Sequence, residues 1–384
     1  MYIRVTELLG MKPLEDEFKV MGLAPYAPPG LAERSHEIFR TFFQSRAGGL
    51  TFRNVSKLWG PALRDALHRR LEGLRFDGVA AGVQRLVEDV VGRFVLAWVR
   101  KTGIRDVAVA GGVFMNVKLN MVLSQRPEIE RFFIMPSCGD ESLPLGAAAL
   151  TYAAECRNHG RPIGIPPLTH LFWGPEFDHT QIKAALAEHA GQITWTRHED
   201  IDTYLGGRLA EGDIVGRFAG RMEWGARSLG NRAILADPRD LGNVRRINMA
   251  IKKRDFWMPF APSLLEERSG DYIENPRKHP AAFMINAFRS TPLAQRDLPC
   301  ALHAFDLTCR PQIVSRCDNP RYHAVLKEFE RRTGVGGVLN TSFNLHGEPI
   351  VCTPADAIRT LLDSDLDGLA LERYYVRRTC REAS

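Results

Sequence analysis

No two cysteines of this 384-residue chain stand in C-x-x-C spacing, and the seven present, from Cys138 to Cys380, are scattered and odd in number. That spacing argues against both a disulfide framework and a thiolate zinc site. Uninterrupted apolar runs of about 18 residues are missing, so no membrane span is expected. The stretch Met1 to Gly10 carries Arg4 and Glu7 and has no signal-peptide core. The expectation is a soluble, cytoplasmic protein with reduced thiols. No pair of the eleven histidines makes H-x-x-x-H, and the sequence holds neither G-x-S-x-G nor G-x-x-x-x-G-K-[ST]. Zincin, serine-hydrolase and P-loop readings therefore lack support. With 45% hydrophobic and 25% charged residues, the chain is no disordered, collagenous or coiled-coil protein. Its net charge of +6 suits phosphorylated small molecules as well as RNA.

What is present is alternating helix and strand. Val83, Leu86, Val87, Val90, Val91, Phe94 and Trp98 recur at helical spacing, predicting a helix over Gly78 to Gly103 with the glycine as its stop. Asp106 to Ala110 reads as a short buried strand, Asn116 to Ser124 as a helix, Phe132 to Met135 as a strand and Gly146 to Cys156 as a helix. This succession predicts an α/β layer on a parallel sheet. Four prolines and three glycines in Gly160 to Pro175 mark a linker over residues 161–175. Beyond it, strand-like runs (Asp213 to Phe218, Ala233 to Ala236, Gly337 to Leu339) and the helical stretch Tyr322 to Thr333 predict a second α/β domain over 176–384.

Four places invite chemistry. Gly111 and Gly112 follow a strand and precede a helix, where backbone N–H groups can approach a phosphate or simply make a tight turn. The loop Ser137 to Glu141 ends another strand; its Asp140 suits either a metal ion or a helix N-cap. Between Gly216 and Arg239 lie Arg217, Arg221, Arg227, Arg232 and Arg239, interleaved with Gly220, Gly225 and Gly230. Guanidinium forks between flexible turns suit phosphate oxygens better than a solvated face does. Lys252, Lys253 and Arg254 then precede Phe256 and Trp257, Trp257 by itself reading as core. Last, Asp306 to Arg310 and Asn340 to Asn344 bring small hydrogen-bonding side chains to a strand end, lining a polar pocket or forming Asx and Ser/Thr turns.

Seven segments in order carry a resemblance: Asp16 to Tyr26 (DEFKVMGLAPY), Ala110 to Asn116 (AGGVFMN), Ser137 to Ala149 (SCGDESLPLGAAA), Gly220 to Asp237 (GRMEWGARSLGNRAILAD), Asp255 to Glu266 (DFWMPFAPSLLE), Asp306 to Val314 and Leu339 to Val351 (LNTSFNLHGEPIV). Together they resemble the O-carbamoyltransferase family of nodulation-factor and antibiotic-tailoring enzymes, the NodU/CmcH type. The resemblance implies the C-terminal part of an actin/sugar-kinase-like (ASKHA) domain over 1–160, then a YrdC-like domain. It implies that the YrdC-like domain makes carbamoyl adenylate from carbamoyl phosphate and ATP. The actin-like domain would then pass the carbamoyl group to a hydroxyl of a small-molecule acceptor, helped by an iron-type metal. By the same resemblance, Arg227, Lys253, Arg254, Arg310, Ser342 and Asn344 hold ATP and carbamoyl phosphate, with Arg232 in the same loop. Gly111, Gly112 and Asn116 face the nucleotide with Lys19 nearby, and Asp140 matches the metal-ligand aspartate.

The chain departs from the pattern at Ala226, Ala233 and Ala27, where Pro, Ser and Gly are expected. The family's metal-binding histidine pair belongs to an N-terminal stretch that precedes the matched region. The expectation is a fragment, one subunit of a split enzyme completed by a separate polypeptide, or a non-catalytic nucleotide-binding relative. A tRNA-modification factor of the threonylcarbamoyl type is the alternative, although arginines gathered in glycine loops do not make a face for nucleic acid.

Overall fold

A computed structural model describes residues 1–252, 255 and 257–379. The long helix expected from the apolar repeat spans Phe76–Thr102 and stops at Gly103, whose φ of 73° is left-handed. Val83 and Leu86 are buried. The helix Pro29–Arg40 lies along its first half. There Gly78 and Gly82 thin the seam, and Ser35 Oγ donates to the Gly78 carbonyl. Short helices Tyr2–Leu8, Glu17–Leu23 and Gly60–Leu71 complete this apolar core around Val20, Leu67 and Phe39. An antiparallel hairpin, β1 (Phe43–Arg46) and β2 (Thr51–Asn54), leans on the long helix, where Phe52 meets Phe94 edge-on at 5.7 Å. Phe94 and Trp98 thus serve this hairpin, and Trp98 is 40% exposed.

The predicted strands follow as β3 (Asp106–Val109) and β4 (Arg131–Ile134), paired in parallel from Asp106↔Arg131 to Val109↔Ile134. The DVAVA run is less buried than its composition suggests. No third described strand joins the pair, and in β3 only Val109 is buried. The helix Leu143–Asn158 buries Ala153 and Cys156 but leaves Leu150 73% exposed.

Residues 161–173 form no regular element. The second unit is built on one mixed sheet of eight strands: β5 (Ile193–Arg197), β6 (Val215–Phe218), β7 (Arg232–Ala236), β8 (Ala261–Leu265), β11 (Gln312–Val314), β12 (Gly337–Ser342), β13 (Gly368–Leu371) and β14 (Tyr374–Arg378). Two-residue strands β9 (Phe288–Arg289) and β10 (Thr308–Cys309) pair separately. The order across the sheet is β11-β8-β12-β7-β6-β13-β14-β5, parallel only at β11–β8 and β13–β6. Helices Ile201–Ala210 and Pro320–Thr333 cover one face through Leu205, Val325 and Phe329. His179–Glu188, Leu241–Ile247 and Pro354–Leu362 cover the other through Ile182, Ile247 and Ile358. Among the described residues no helix is long and apolar enough to cross a membrane.

Candidate functional site

The loop between β6 and β7 is organised by a carboxylate. Glu223, 6% exposed, turns Oε1 toward three backbone N–H groups, those of Leu229 (2.7 Å), Asn231 (2.8 Å) and Arg232 (3.2 Å). Gly225 and Gly230, at φ of 98° and 104°, take left-handed turns that a side chain would resist. A Cβ at Gly230 would also collide with the Tyr322 ring. Two of the five arginines are structural members of this loop. Arg217 Nη1 donates to the Gly230 carbonyl at 2.8 Å and Nη2 reaches Asp202 at 3.3 Å. Arg232 is wholly buried, stacks 3.5 Å over Phe218, and donates to the carbonyls of Ala219 and Gly220 at 3.0 Å. Burial pulls the Arg232 guanidinium down to about 10, while Glu223 and Glu372 act to raise it. Arg221 holds the Trp173 and Gly174 carbonyls, and Arg239 pairs with Asp237.

Arg227 is different. Its Nε is buried without a partner, as are those of Arg217 and Arg232, but unlike theirs its Nη groups make no hydrogen bond or ion pair to a described residue; burial pulls the cation down to about 10. Its neighbour from the first unit is Cys138, whose thiol burial pushes up to about 12, with Glu141 adding and Arg227 opposing. A Cβ at Gly225 would lie 2.6 Å from Ser137 Oγ, so the loop Ser137 to Glu141 sits directly on the arginine loop. Ser137 Oγ in turn donates to Glu141. Further buried polar atoms on the same loop, Glu223 Oε2, Trp224 Nε1 and Ser228 Oγ, also lack partners, as does Asn340 Oδ1 on β12. Native interiors hold few such atoms, and each of these calls for a partner that the described side chains do not supply.

Other predicted residues meet at a second contact between the units. Lys19 lies 3.2 Å from Asp16 and 3.3 Å from Asp255; burial lowers its pKa, but the two carboxylates outweigh that and hold it above the ordinary value. Trp257 Nε1 donates to the Lys19 carbonyl at 3.2 Å, packing Trp257 into the first unit's core as anticipated. His303 Nε2 meets the Gly22 carbonyl at 2.7 Å, and Lys118 Nζ reaches Asp306 and Thr308. Asn120 ties the carbonyls of Phe114 and Ile285 together, each at 2.7 Å. Asn116 is the N-cap of helix Val117–Ser124, its Oδ1 accepting from Leu119 N at 3.0 Å, and is also bonded to Gln84. Gly111 and Gly112 are exposed at the turn before it, with open space where a Cβ would stand.

Arg310 is half-buried, with Nη1 3.4 Å from the Met284 carbonyl. Ser342 Oγ donates to Asn344 Oδ1 at 2.7 Å, and Asn344 Nδ2 to the Glu348 carbonyl at 2.6 Å, so the run closes on itself as a polar turn. Lys253, Arg254 and Phe256 lie outside the described residues. Glu223, Ser228, Lys118 and His303 were not singled out by sequence. Glu223 alone carried a signal, as the one acid between Arg217 and Arg232.

A metal does not fit the described residues. Asp140 is exposed at the first turn leading into helix Leu143–Asn158, and no three His, Cys, Asp or Glu side chains gather there or elsewhere among them. No step is therefore routed through a metal.

Two family models divide the chain: residues 1–149 match the carbamoyltransferase N-terminus and residues 207–378 the carbamoyltransferase C-terminus. The nodulation protein NolO of Bradyrhizobium diazoefficiens is 36% identical, covering 98% of this chain and 68% of its own length. An uncharacterized protein of Methanocaldococcus jannaschii is 35% identical over 98% of this chain, which spans 61% of that relative. The 3'-hydroxymethylcephem-O-carbamoyltransferase of Amycolatopsis lactamdurans is 27% identical over 65% of the chain and 44% of its own length. A solved structure of full-length HypF in its phosphate- and nucleotide-bound form matches over 66% of this chain and 36% of its own length at 14% identity, with a TM-score of 0.32. On the matched models and on the identity to NolO, the chain belongs to the carbamoyltransferase family.

Proposed function

We propose that the chain serves O-carbamoyl transfer, with its second unit joining carbamoyl phosphate and ATP into a carbamoyl adenylate. Water first releases inorganic phosphate from carbamoyl phosphate; an oxygen of the carbamate so formed then attacks the α-phosphorus of ATP, and pyrophosphate leaves. The hydroxyl oxygen of a small-molecule acceptor then attacks the carbamoyl carbon at the first unit, and AMP leaves. A secondary metabolite or a nodulation-type factor is the acceptor class this reading favours.

The observation that carries the reading is Arg227. Arg227 is half-buried where the two units touch, its Nε is buried without a partner, and its Nη groups are not spent on any described residue. A phosphate oxygen would supply the missing partner and hold an adenylate between the unit that makes it and the unit that uses it. Fixed charge at such a place stabilises the phosphate as its charge shifts, and the surrounding loops keep water from the carbamoyl carbon. Arg217 and Arg232, turned inward onto carbonyls and Asp202, offer little to an extended polyanion such as RNA. Under this reading ATP and carbamoyl phosphate also meet Arg310, Ser342 and Asn344, while Gly111, Gly112, Asn116 and Lys19 border the nucleotide on the first unit.

The first unit's open sheet fits a further polypeptide. Parallel strands are normally covered on both faces, and each of β3 and β4 keeps one unpaired edge among the described strands. The relatives extend beyond the matched region, and strands supplied from such a stretch would pair there, in the same polypeptide or from a separate one.

The test is carbamoyl-phosphate-dependent release of pyrophosphate from ATP by the purified chain. Release that falls at least about tenfold in Arg227→Ala, with melting temperature held, supports the reading. Nucleotide turnover indifferent to both carbamoyl phosphate and Arg227 overturns it.

A further inference from the structure

We infer that Asn340 Oδ1 and Ser228 Oγ form a neutral recess that reads the amide end of a carbamoyl ligand, making both specificity-determining residues of the site that Arg227 serves. The inference rests on the function proposed above.

The recess has a fixed polarity. Gln312 Nε2 donates to the Leu229 carbonyl at 2.7 Å, and a carbonyl can only accept. The Gln312 oxygen therefore faces inward, where it accepts from Ser263 Oγ at 2.8 Å and from Asn340 Nδ2 at 3.2 Å. Asn340 Nδ2 also meets Ser263 Oγ at 2.9 Å and the Ser228 carbonyl at 3.4 Å. With its NH2 so engaged, Asn340 cannot flip, and its Oδ1 is held as an acceptor. That oxygen has no partner, although Asn340 is 2% exposed, and neither has the hydroxyl of Ser228, which is 4% exposed. A narrow cavity lined by His170, Leu171 and Phe172 also reaches Leu229 and Gln312, neighbours of Ser228 and Asn340, which themselves do not line it.

A carbamoyl group offers what these two atoms lack. Its NH2 donates to Asn340 Oδ1 and its carbonyl oxygen accepts from the Ser228 hydroxyl. Arg227, the residue before Ser228, takes the attached phosphate. An acetyl group presents a methyl where the NH2 should be and leaves Asn340 Oδ1 buried and unpaired. Sites built to bond a polar group reject the analogue that lacks it strongly.

The test compares binding of freshly dissolved carbamoyl phosphate, acetyl phosphate and inorganic phosphate to the full chain by calorimetry. The wild-type chain should prefer carbamoyl over acetyl phosphate by at least about tenfold. Ser228→Ala should shrink that preference several-fold with inorganic phosphate affinity unchanged, and its melting temperature should not fall, because the hydroxyl it removes bonds nothing in the protein. Ser228→Thr should restore part of the preference. Equal affinity of the wild type for the two acyl phosphates overturns the inference while leaving the function standing. A Ser228→Ala chain that melts earlier and weakens all three ligands alike also overturns it, since that is a structural role. Failure of the wild type to bind any of the three, phosphate included, overturns the underlying function and this inference with it.

Discussion

In the second unit, β6 and β7 are buried along their whole length and β12 nearly so, with helices packed on both faces of the sheet. In the first, β3 and β4 form a two-stranded sheet in which Phe133 is 49% exposed, beside a helix that leaves Leu143 and Leu150 in solvent. The same physics acts on both. One unit satisfies its strands internally; the other holds apolar residues and free strand edges in reserve. What joins them is a set of specific bonds, with Arg227 at the contact and uncompensated. The difference teaches that the second unit covers its strands on both faces, while the first, among the described residues, buries its helices and leaves its two-stranded sheet largely uncovered.

The sharpest way to break this comparison is a matched pair of core truncations. Phe343 is fully buried, its ring against Gly216. Phe343→Ala should cost about 3–5 kcal/mol in denaturant unfolding. Phe133→Ala on β4 should stay within about 0.5 kcal/mol. Equal losses would mean that the exposed sheet is as well supported as the buried one.

Glu223 tests whether the arginine loop is held by its carboxylate. Glu223→Ala strips an acceptor from three N–H groups, each costing about 1–3 kcal/mol if left buried and unpaired. A loss of at least about 2 kcal/mol is expected, with faster amide exchange across Leu229 to Arg232. Glu223→Gln keeps an oxygen for those donors and should lose much less. If the two variants behave alike, the negative charge rather than the acceptor geometry holds the loop.

Patterns read the long helix, β6, β7 and β12 because apolar periodicity reports burial directly. They missed β5, whose Thr194, Trp195, Thr196 and Arg197 are all exposed on an edge strand. They missed β8 because Pro262 argues against a strand interior. In the structure β11 begins its pairing at Ser263, so Pro262 faces no donor-hungry neighbour on that side. At the site, the arginine–glycine loop was legible as a gathering of guanidinium groups, but not their division of labour. Arg217 and Arg232 differ from Arg227 only in what surrounds them, and Ser137 and Gly225 meet across the chain. No local spacing encodes such a meeting.

The contact between the units should also respond to pH. Burial holds His303 below the ordinary imidazole pKa, outweighing the Gly22 carbonyl and Asp306, which act to raise it; Lys118 lowers it further. Its Nε2 meets the Gly22 carbonyl, so that nitrogen carries the hydrogen, while Nδ1 accepts from Phe305 N and Asp306 N at 3.3 Å. Protonating Nδ1 breaks those bonds. Because the folded pKa is depressed, the contribution is present above the unfolded value of about 6.5 and is lost as pH falls from there through the folded value. Amide exchange over Glu17 to Tyr26 should quicken as pH drops below about 6.5, and His303→Gln should flatten the response. An unchanged pH response in that variant would move the titration to another group.

The smallest expected effect concerns the helix Leu143–Asn158. Leu150 is 73% exposed and contributes little to burial, so Leu150→Lys should shift stability by no more than about 0.5 kcal/mol. It should nevertheless reduce self-association in light scattering, since it breaks an apolar patch that water does not favour. A large destabilisation would show that this helix supports the fold, and the contrast between the two units would then rest on the sheets alone.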